Sequence, residues 1–295
     1  MKKESSIVGI IGQGFVGSAI REGLKSHYEI KTYDLEEEKC NSTLEEVCRH
    51  AGIIFVCVPT PMRLNGSCDT RILVNAIKSI DDTCIKINRS RDEVTIVIKS
   101  TIPPGTTKRI NEKFDNLTIC FSPEFLTEAN SFDDFKNQNR IIIGIPSPSV
   151  TSHGSKVSRM FKKVFTEADI RVVWAEEAEM CKYFINCFLA TKVTFANQMF
   201  EICKSADIDY SNVISLATLD PRIGNSHLTV PGPDGDRGFG GHCFPKDLAA
   251  MIKFSEIHKV THERSTFLPE VQRSNKVYRT NRDWEKMKGR AVSDD

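Results

Sequence analysis

The feature that most constrains this chain is a series of short β-rich runs, IVGIIG, EIKTYD, GIIFVCVP, EVTIVIKS, LTICFSP and RIIIGI, alternating with helix-like stretches from residue 7 to about 146. A strand with one solvated face alternates apolar and polar residues. Most of these runs do not alternate, which suits strands buried on both faces, the habit of parallel sheets flanked by helices. The pattern predicts an α/β chain built on a doubly wound parallel sheet. RVVWA at 171–175 reads as one further strand.

After it the character changes. Residues 176–204 contain no Pro or Gly and are apolar around most of the circumference, as expected of a long buried helix. At 1.5 Å per residue such a helix runs roughly 40 Å. Residues 207–260 read as helical except for a Gly/Pro-rich loop between Pro221 and Pro245. The chain therefore divides into 1–175, 176–275 and a charged C-terminal tail, 276–295, expected to be a loosely held terminus.

Composition narrows the partners. A formal net charge of +1 over 295 residues gives no electrostatic footprint for nucleic acid or for a membrane surface. No apolar run approaches the ~18 residues of a spanning helix, and Met1-Lys2-Lys3-Glu4 leads into a strand rather than a secretory segment, so a cytoplasmic location is expected. The ten cysteines are scattered through apolar stretches and read as buried thiols. Cys40 and Cys48 have no nearby His partners, and no structural metal is expected.

Gly12-Gln13-Gly14-Phe15-Val16-Gly17 follows the first strand and opens a helix-like run. Glycines there permit a tight turn and close approach of backbone to a pyrophosphate, while the helix N-terminus favours negative charge. A glycine turn alone is weak evidence, but the second strand ends in Asp34, about 20 residues on, where a carboxylate can accept from both ribose hydroxyls. The fingerprint is that of a Rossmann-type dinucleotide domain. An acidic residue at Asp34 repels a 2′-phosphate, which favours NAD over NADP. Lys39 either reaches phosphate or adenine-side oxygens or sits solvated beside Glu36, Glu37 and Glu38.

A second loop, Gly238-Phe-Gly240-Gly241-His-Cys243-Phe-Pro-Lys246-Asp247, brings glycines, a thiol, a cation and a carboxylate together. Such a loop can expose a sulfur beside charges that tune it, although a lone Cys in a glycine loop is more often inert. On the long helix Lys182 and Asn186 are one turn apart and can stabilise a developing oxyanion. Their apolar neighbours make a polar pair costly unless it faces a cavity. Beyond two predicted strands lie Lys99-Ser-Thr101-Ile-Pro-Pro-Gly-Thr106 and Ser122-Pro-Glu124-Phe125-Leu126-Thr-Glu128. Glu124 and Glu128 can share a helical face as general base and cofactor contact, or can each cap a helix start.

Taken together with Val58-Pro-Thr60-Pro61 and Arg222-Ile-Gly, these motifs resemble, in order and over most of the chain, those of the UDP-glucose/GDP-mannose dehydrogenase family. The resemblance implies a four-electron oxidation of a nucleotide sugar, UDP-glucose first, by NAD in two rounds: alcohol to aldehyde, thiohemiacetal and then thioester on Cys243, and hydrolysis to the uronic acid. It implies that Lys182 and Asn186 hold the oxyanion and that Asp247, Glu124 and Thr101 position or activate water. It adds Thr60, Thr101, Glu128 and Lys246 to Asp34 and Lys39 as cofactor contacts. Glu124, Phe125 and Leu126, with the loop from Gly232 to Gly240, are implied to hold substrate. The implied homodimer forms around the central helices of 176–275, with Arg222 reaching a neighbour's substrate or serving only as a surface ion-pair partner. Family members typically continue into a second nucleotide-binding domain, so this chain is expected to be a short form. Alternatives left open are the same chemistry on GDP-mannose or a UDP-N-acetylhexosamine, a two-electron dehydrogenase of the β-hydroxyacid type that has no use for Cys243, and an idle NAD-binding module.

Overall fold

Seven strands form one sheet: β1 (Ile7–Ile11), β2 (Glu29–Tyr33), β3 (Ile53–Val56), β4 (Thr95–Ile98), β5 (Thr118–Phe121), β6 (Arg140–Ile145) and β7 (Asp169–Trp174). Their order is β2-β1-β3-β4-β5-β6-β7. The computed structural model describes residues 6–127 and 130–294. Each anticipated run supplies one strand, and in β3, β4 and β5 alternation is hidden because both faces are buried, whereas the edge strands β2 and β7 are largely half-buried or exposed. In β3, Ile53 and Phe55 join one apolar layer and Ile54 and Val56 the other.

Helices α1 (Phe15–Leu24), α5 (Ser131–Lys136) and α6 (Thr151–Val164) build the first layer, while α2 (Leu44–His50), α3 (Arg71–Lys86) and α4 (Thr106–Lys113) build the second. The sheet is thus doubly wound. Strand order reverses between β1 and β3, and ligands of such sheets bind outside the carboxyl ends at that point. One detail departs from a wholly parallel sheet, because β6 runs antiparallel to β5. The intervening α5 is only six residues long. It packs on α1, where a Cβ on Gly23 would come within 2.3 Å of the Phe135 ring. The chain therefore makes no full crossover before β6.

The chain divides into two compact units: Met1–Thr60 with Thr70–Lys182, and Pro61–Asp69 with Tyr183–Asp295. Helix α7 (Ala175–Ser205) matches the long helix expected over 176–204. In the second unit α8 (Tyr210–Ala217), α9 (Phe244–Ile257) and α10 (Phe267–Tyr278) follow, and Cys187, Ala190, Phe239, Leu248 and Val271 form a core. The tail expected to be loose is pinned. Arg279, Trp284 and Ala291 are buried, Met62 N–H donates to the Ala291 carbonyl, and Ser293 N–H donates to that of Met62, both at 2.8 Å. Its charges mislead because Arg279 is matched by acidic partners.

Candidate functional site

The loop between β1 and α1 is shaped by steric necessity. Gly12 has φ +88, and a Cβ there would lie 2.7 Å from the Cys57 carbonyl oxygen. A Cβ on Gly17 would meet the Gly12 carbonyl oxygen at 1.9 Å, whereas one on Gly14 would meet nothing within 4 Å. Gly14 is also the N-cap of α1 and offers no side-chain cap. A helix N-terminus that opens onto space beside Phe15 and Val16 fits a pyrophosphate. Asp34 is already oriented: its Oδ2 accepts from Gln13 N–H at 2.6 Å and its Oδ1 from Glu36 N–H at 3.1 Å. Lone pairs remain on both oxygens for ribose hydroxyls. The residues therefore fit a dinucleotide with free ribose hydroxyls. Lys39 Nζ donates to Glu36 Oε1 at 2.6 Å. Beyond β3 and β4, Thr60 Oγ1 donates to the Thr101 carbonyl at 2.7 Å. Glu128 lies outside the described residues.

A buried polar cluster occupies the ends of β4 and β5 in the same unit. Glu124 is 8 % exposed; its Oε1 meets Lys182 Nζ at 2.9 Å and its Oε2 accepts from Leu126 N–H at 2.7 Å. Burial alone would raise its pKa. The charge and hydrogen bond of Lys182, with Leu126 N–H and Lys99, outweigh burial and hold the carboxyl below its usual range. Glu124 is not on a helix, contrary to one expectation, because 122–127 has no regular structure. Lys99 Nζ donates to the Pro123 carbonyl at 2.9 Å and to Ser122 Oγ at 3.3 Å, at the start of this segment. The Phe125 ring carries Arg140 Cζ at 4.6 Å and Lys182 Nζ at 5.6 Å from its centroid. Leu126 packs on an apolar layer of the sheet. Sequence reasoning gave Lys99 and Arg140 no role.

In the second unit Cys243 is the N-cap of α9. One turn on, Lys246 and Asp247 form a buried ion pair, and Asn186 Nδ2 donates to Asp247 Oδ2 at 2.6 Å. Burial alone would lower the pKa of Lys246, but Asp247, Cys68 and Cys243 more than reverse that and raise it. Negative charge at a helix cap is favoured by the helix dipole, so Cys243 occupies a place suited to an anionic sulfur. Arg222 is exposed, and its Nε donates to Asp220 Oδ1 at 2.9 Å. Gly232 N–H donates to the Asp236 carbonyl at 2.8 Å, within a turn. At Gly240 a Cβ would meet Arg279 Nη2 at 2.3 Å, so this glycine makes room for Arg279. That requirement was invisible while the tail was read as loose.

A glycine turn at the β1–α1 junction, an acidic residue closing β2 and a reversal of strand order define a dinucleotide-binding protein of the Rossmann type. Residues 31–166 match the NAD binding domain, and residues 176–277 the central domain, of the UDP-glucose/GDP-mannose dehydrogenase family; the chain belongs to that family. NAD is accordingly its cofactor. The chain is 33% identical over 255 residues to a UDP-glucose 6-dehydrogenase of Rickettsia bellii, covering 84% of this chain and 55% of the relative. It is 30% identical over 277 residues to that of Streptococcus pneumoniae, covering 83% of this chain and 67% of the relative. A solved UDP-glucose dehydrogenase from the hyperthermophilic archaeon Pyrobaculum islandicum superposes with TM-score 0.80 at 27% identity, over 94% of this chain and 69% of that one. The chain thus spans about half to two thirds of the length of these relatives. Among the described residues no helix is long and apolar enough to cross a membrane.

Proposed function

We propose that the chain carries the NAD-dependent, four-electron oxidation of a nucleotide sugar, UDP-glucose to UDP-glucuronate, through a thioester on Cys243. The observation that carries this reading is the buried Asn186–Asp247–Lys246 chain on the first turn of the helix capped by Cys243. A two-electron dehydrogenase would need no thiol so supported.

The alcohol first loses two electrons and two protons to give the aldehyde. Cys243 sulfur then bonds to the aldehyde carbon while the carbonyl oxygen takes a proton, giving a thiohemiacetal. Loss of two further electrons and two protons leaves the thioester. Water attacks the acyl carbon, the C–S bond breaks, and the sulfur recovers its proton. When bound, the nicotinamide supplies the acceptor for each electron pair. Lys182 and Asn186 are the donors proposed to stabilise oxyanions, while Glu124, Asp247 and Thr101 position or deprotonate water. Asp34, Thr60, Thr101, Glu128 and Lys246 are proposed to contact the dinucleotide, and Phe125, Leu126, Gly232 and Gly240 to line the substrate.

A cytoplasmic homodimer accords with this reading. On α7, Phe184, Phe188, Phe195 and Ile202 recur at intervals of four and seven and are 50–69% exposed, a helical stripe of the kind that packs against a second copy. Arg222, exposed and paired with Asp220 within one copy, is proposed to reach a neighbour's substrate.

The test is to supply NAD and UDP-glucose and to count NADH per sugar nucleotide while weighing the product. Two NADH with a uronic acid, and loss of the acid in Cys243→Ser, support the reading. One NADH with no effect of Cys243→Ser would replace it with two-electron chemistry.

A further inference from the structure

The chemistry proposed above makes no use of Lys99, yet this lysine is only 6% exposed. It stands just beyond the carboxyl end of β4, and its ammonium reaches across to the residues that immediately precede Glu124: the Pro123 carbonyl at 2.9 Å and Ser122 Oγ at 3.3 Å. Lys182 bonds the Glu124 carboxylate itself at 2.9 Å. Two buried ammonium groups therefore stand close to the buried Glu124 carboxylate, one bonded to it and the other to the residues before it. A buried charge is costly to keep, and a site that retains two ammonium groups side by side is suited to a developing charge of opposite sign.

We propose that Lys99 is a positioning residue of this site: it fixes the Ser122–Glu124 segment through the Pro123 carbonyl, and its charge adds to that of Lys182 in the field that a developing oxyanion meets. The inference rests on the dehydrogenase reading. It also has a consequence in pH. The groups facing Lys99 are Cys57, Glu124 and Lys182, with the Ser122 hydroxyl. Burial pushes the Cys57 thiol up to about 12, so it stays neutral. Glu124 stays anionic, being held below its usual range by Lys182 despite burial. Burial, with Lys182 adding to it against Cys57 and Glu124, lowers Lys99 to about 8. The positive charge of Lys99 is present below that value and disappears as pH rises through it.

The experiment measures kcat and KM against pH for the full chain and for Lys99→Met, Lys99→Arg and Ser122→Ala. In parallel, the Lys99 Cε resonance of lysine-labelled protein, identified by its loss in Lys99→Met, is titrated. In the unsubstituted chain kcat is expected to fall through an alkaline limb near 8 that coincides with titration of the resonance. Ser122→Ala removes an acceptor from the ammonium and should move both limb and resonance to lower pH. Lys99→Met should lower kcat about tenfold or more at neutral pH and abolish the limb, leaving KM for NAD within about twofold. Lys99→Arg should carry the limb upward because guanidinium keeps its charge. A limb that stays in place in Lys99→Met, or a resonance that titrates near the ordinary lysine value of about 10.4, overturns the proposal. If the unsubstituted chain oxidises no nucleotide sugar, the dehydrogenase reading fails. The resonance then decides the charge inference alone: titration near 8, lowered by Ser122→Ala, supports it, and an ordinary value overturns it.

Discussion

Asn186 Nδ2 lies 2.6 Å from Asp247 Oδ2, with both side chains buried. From sequence, Asn186 and Lys182 aim at one oxyanion, but here one amide N–H goes to Asp247 and the second is what remains for a ligand. Asn186→Ala leaves a buried carboxylate oxygen without its donor and should cost about 1–3 kcal/mol of stability. Asn186→Asp sets two carboxylates together and should cost more, about 3–5 kcal/mol at neutral pH, with the deficit shrinking in mild acid as one takes a proton. Urea unfolding at two pH values measures both. An aspartate variant as stable as the parent at neutral pH would contradict the pairing.

The Lys182–Glu124 pair makes a second expectation. Although burial opposes it, Lys182 helps hold Glu124 below the ordinary carboxyl value of 4.5. A carboxyl depressed in the folded state contributes stability that is present above the unfolded pKa and lost as pH falls through the folded one. Lys182→Met should reverse this, raising Glu124 and costing about 3–5 kcal/mol at neutral pH. Adding Glu124→Gln should restore much of the loss, because the stranded charge is gone. A double-mutant cycle with no coupling beyond about 0.5 kcal/mol would show that the pair does not matter to folding.

Glu179 has the opposite sign. From α7 it serves the start of α4, accepting from Thr107 N–H at 2.8 Å, Thr107 Oγ1 at 2.6 Å and Gly105 N–H at 2.6 Å. Burial outweighs these donors and pushes it from 4.5 to about 7. The folded state therefore binds the extra proton between those values, and stability declines as pH rises across that window. The gap corresponds to about 3 kcal/mol. Glu179→Gln should flatten the decline while losing about 1 kcal/mol of hydrogen bonding. Unfolding free energies measured at several pH values from about 5 to 8 give the slope; an unchanged slope in the variant would place the titration elsewhere.

What the chain discloses before folding follows from which forces are local. The inner strands are legible because burial on both sides of a sheet writes itself into unbroken apolar runs. Helix α7 is legible because it runs without Pro or Gly, although its apolar circumference is not buried all round but leaves Phe184, Phe188, Phe195 and Ile202 exposed. Strand direction leaves no such mark, so the reversal at β6 is unannounced. SPEFLT has the composition of a helix start, yet 122–127 takes no regular structure, and Lys99 bonds to Ser122 and Pro123 at its start. The signal for Lys99 was present as a lysine closing the apolar run TIVI, where a charge needs a built partner. The buried Arg279 was hidden by its own tail, since Asp234 and Asp236 lie more than forty residues away in sequence.

The apolar stripe on α7 gives the homodimer a direct test. Phe195 is 58% exposed and lies seven residues from both Phe188 and Ile202. Phe195→Asp introduces a charge into the stripe without disturbing buried packing, so the monomer should remain folded while association weakens by about a hundredfold or more. Sedimentation of parent and variant over a concentration series reads the change. A parent that stays monomeric at all concentrations would remove the dimer from the proposal.

Arg279 ties the end of the chain to the loop before Cys243. Its guanidinium is 2.6 Å from Asp234 and 3.5 Å from both Asp236 and Asp283, and its Nε donates to the Asn281 carbonyl at 2.7 Å. Although burial works the other way, N–H donors of Asn281 and Arg237, the Thr280 hydroxyl and Arg279 lower Asp236 to about 2. Its stabilising contribution is present above the ordinary carboxyl value and lost as pH falls toward that number. Arg279→Met should therefore raise the pH of acid unfolding and cost about 3–5 kcal/mol at neutral pH. Arg279→Lys should recover only part of this, since one ammonium cannot replace a planar fork shared among three carboxylates. Trp284 is buried at 6% exposure and supplies a local readout. Its fluorescence should shift to the red in Arg279→Met at denaturant concentrations that leave helix content intact. Coincident loss of the two signals would mean instead that the tail and the α9 loop unfold with the rest of the core.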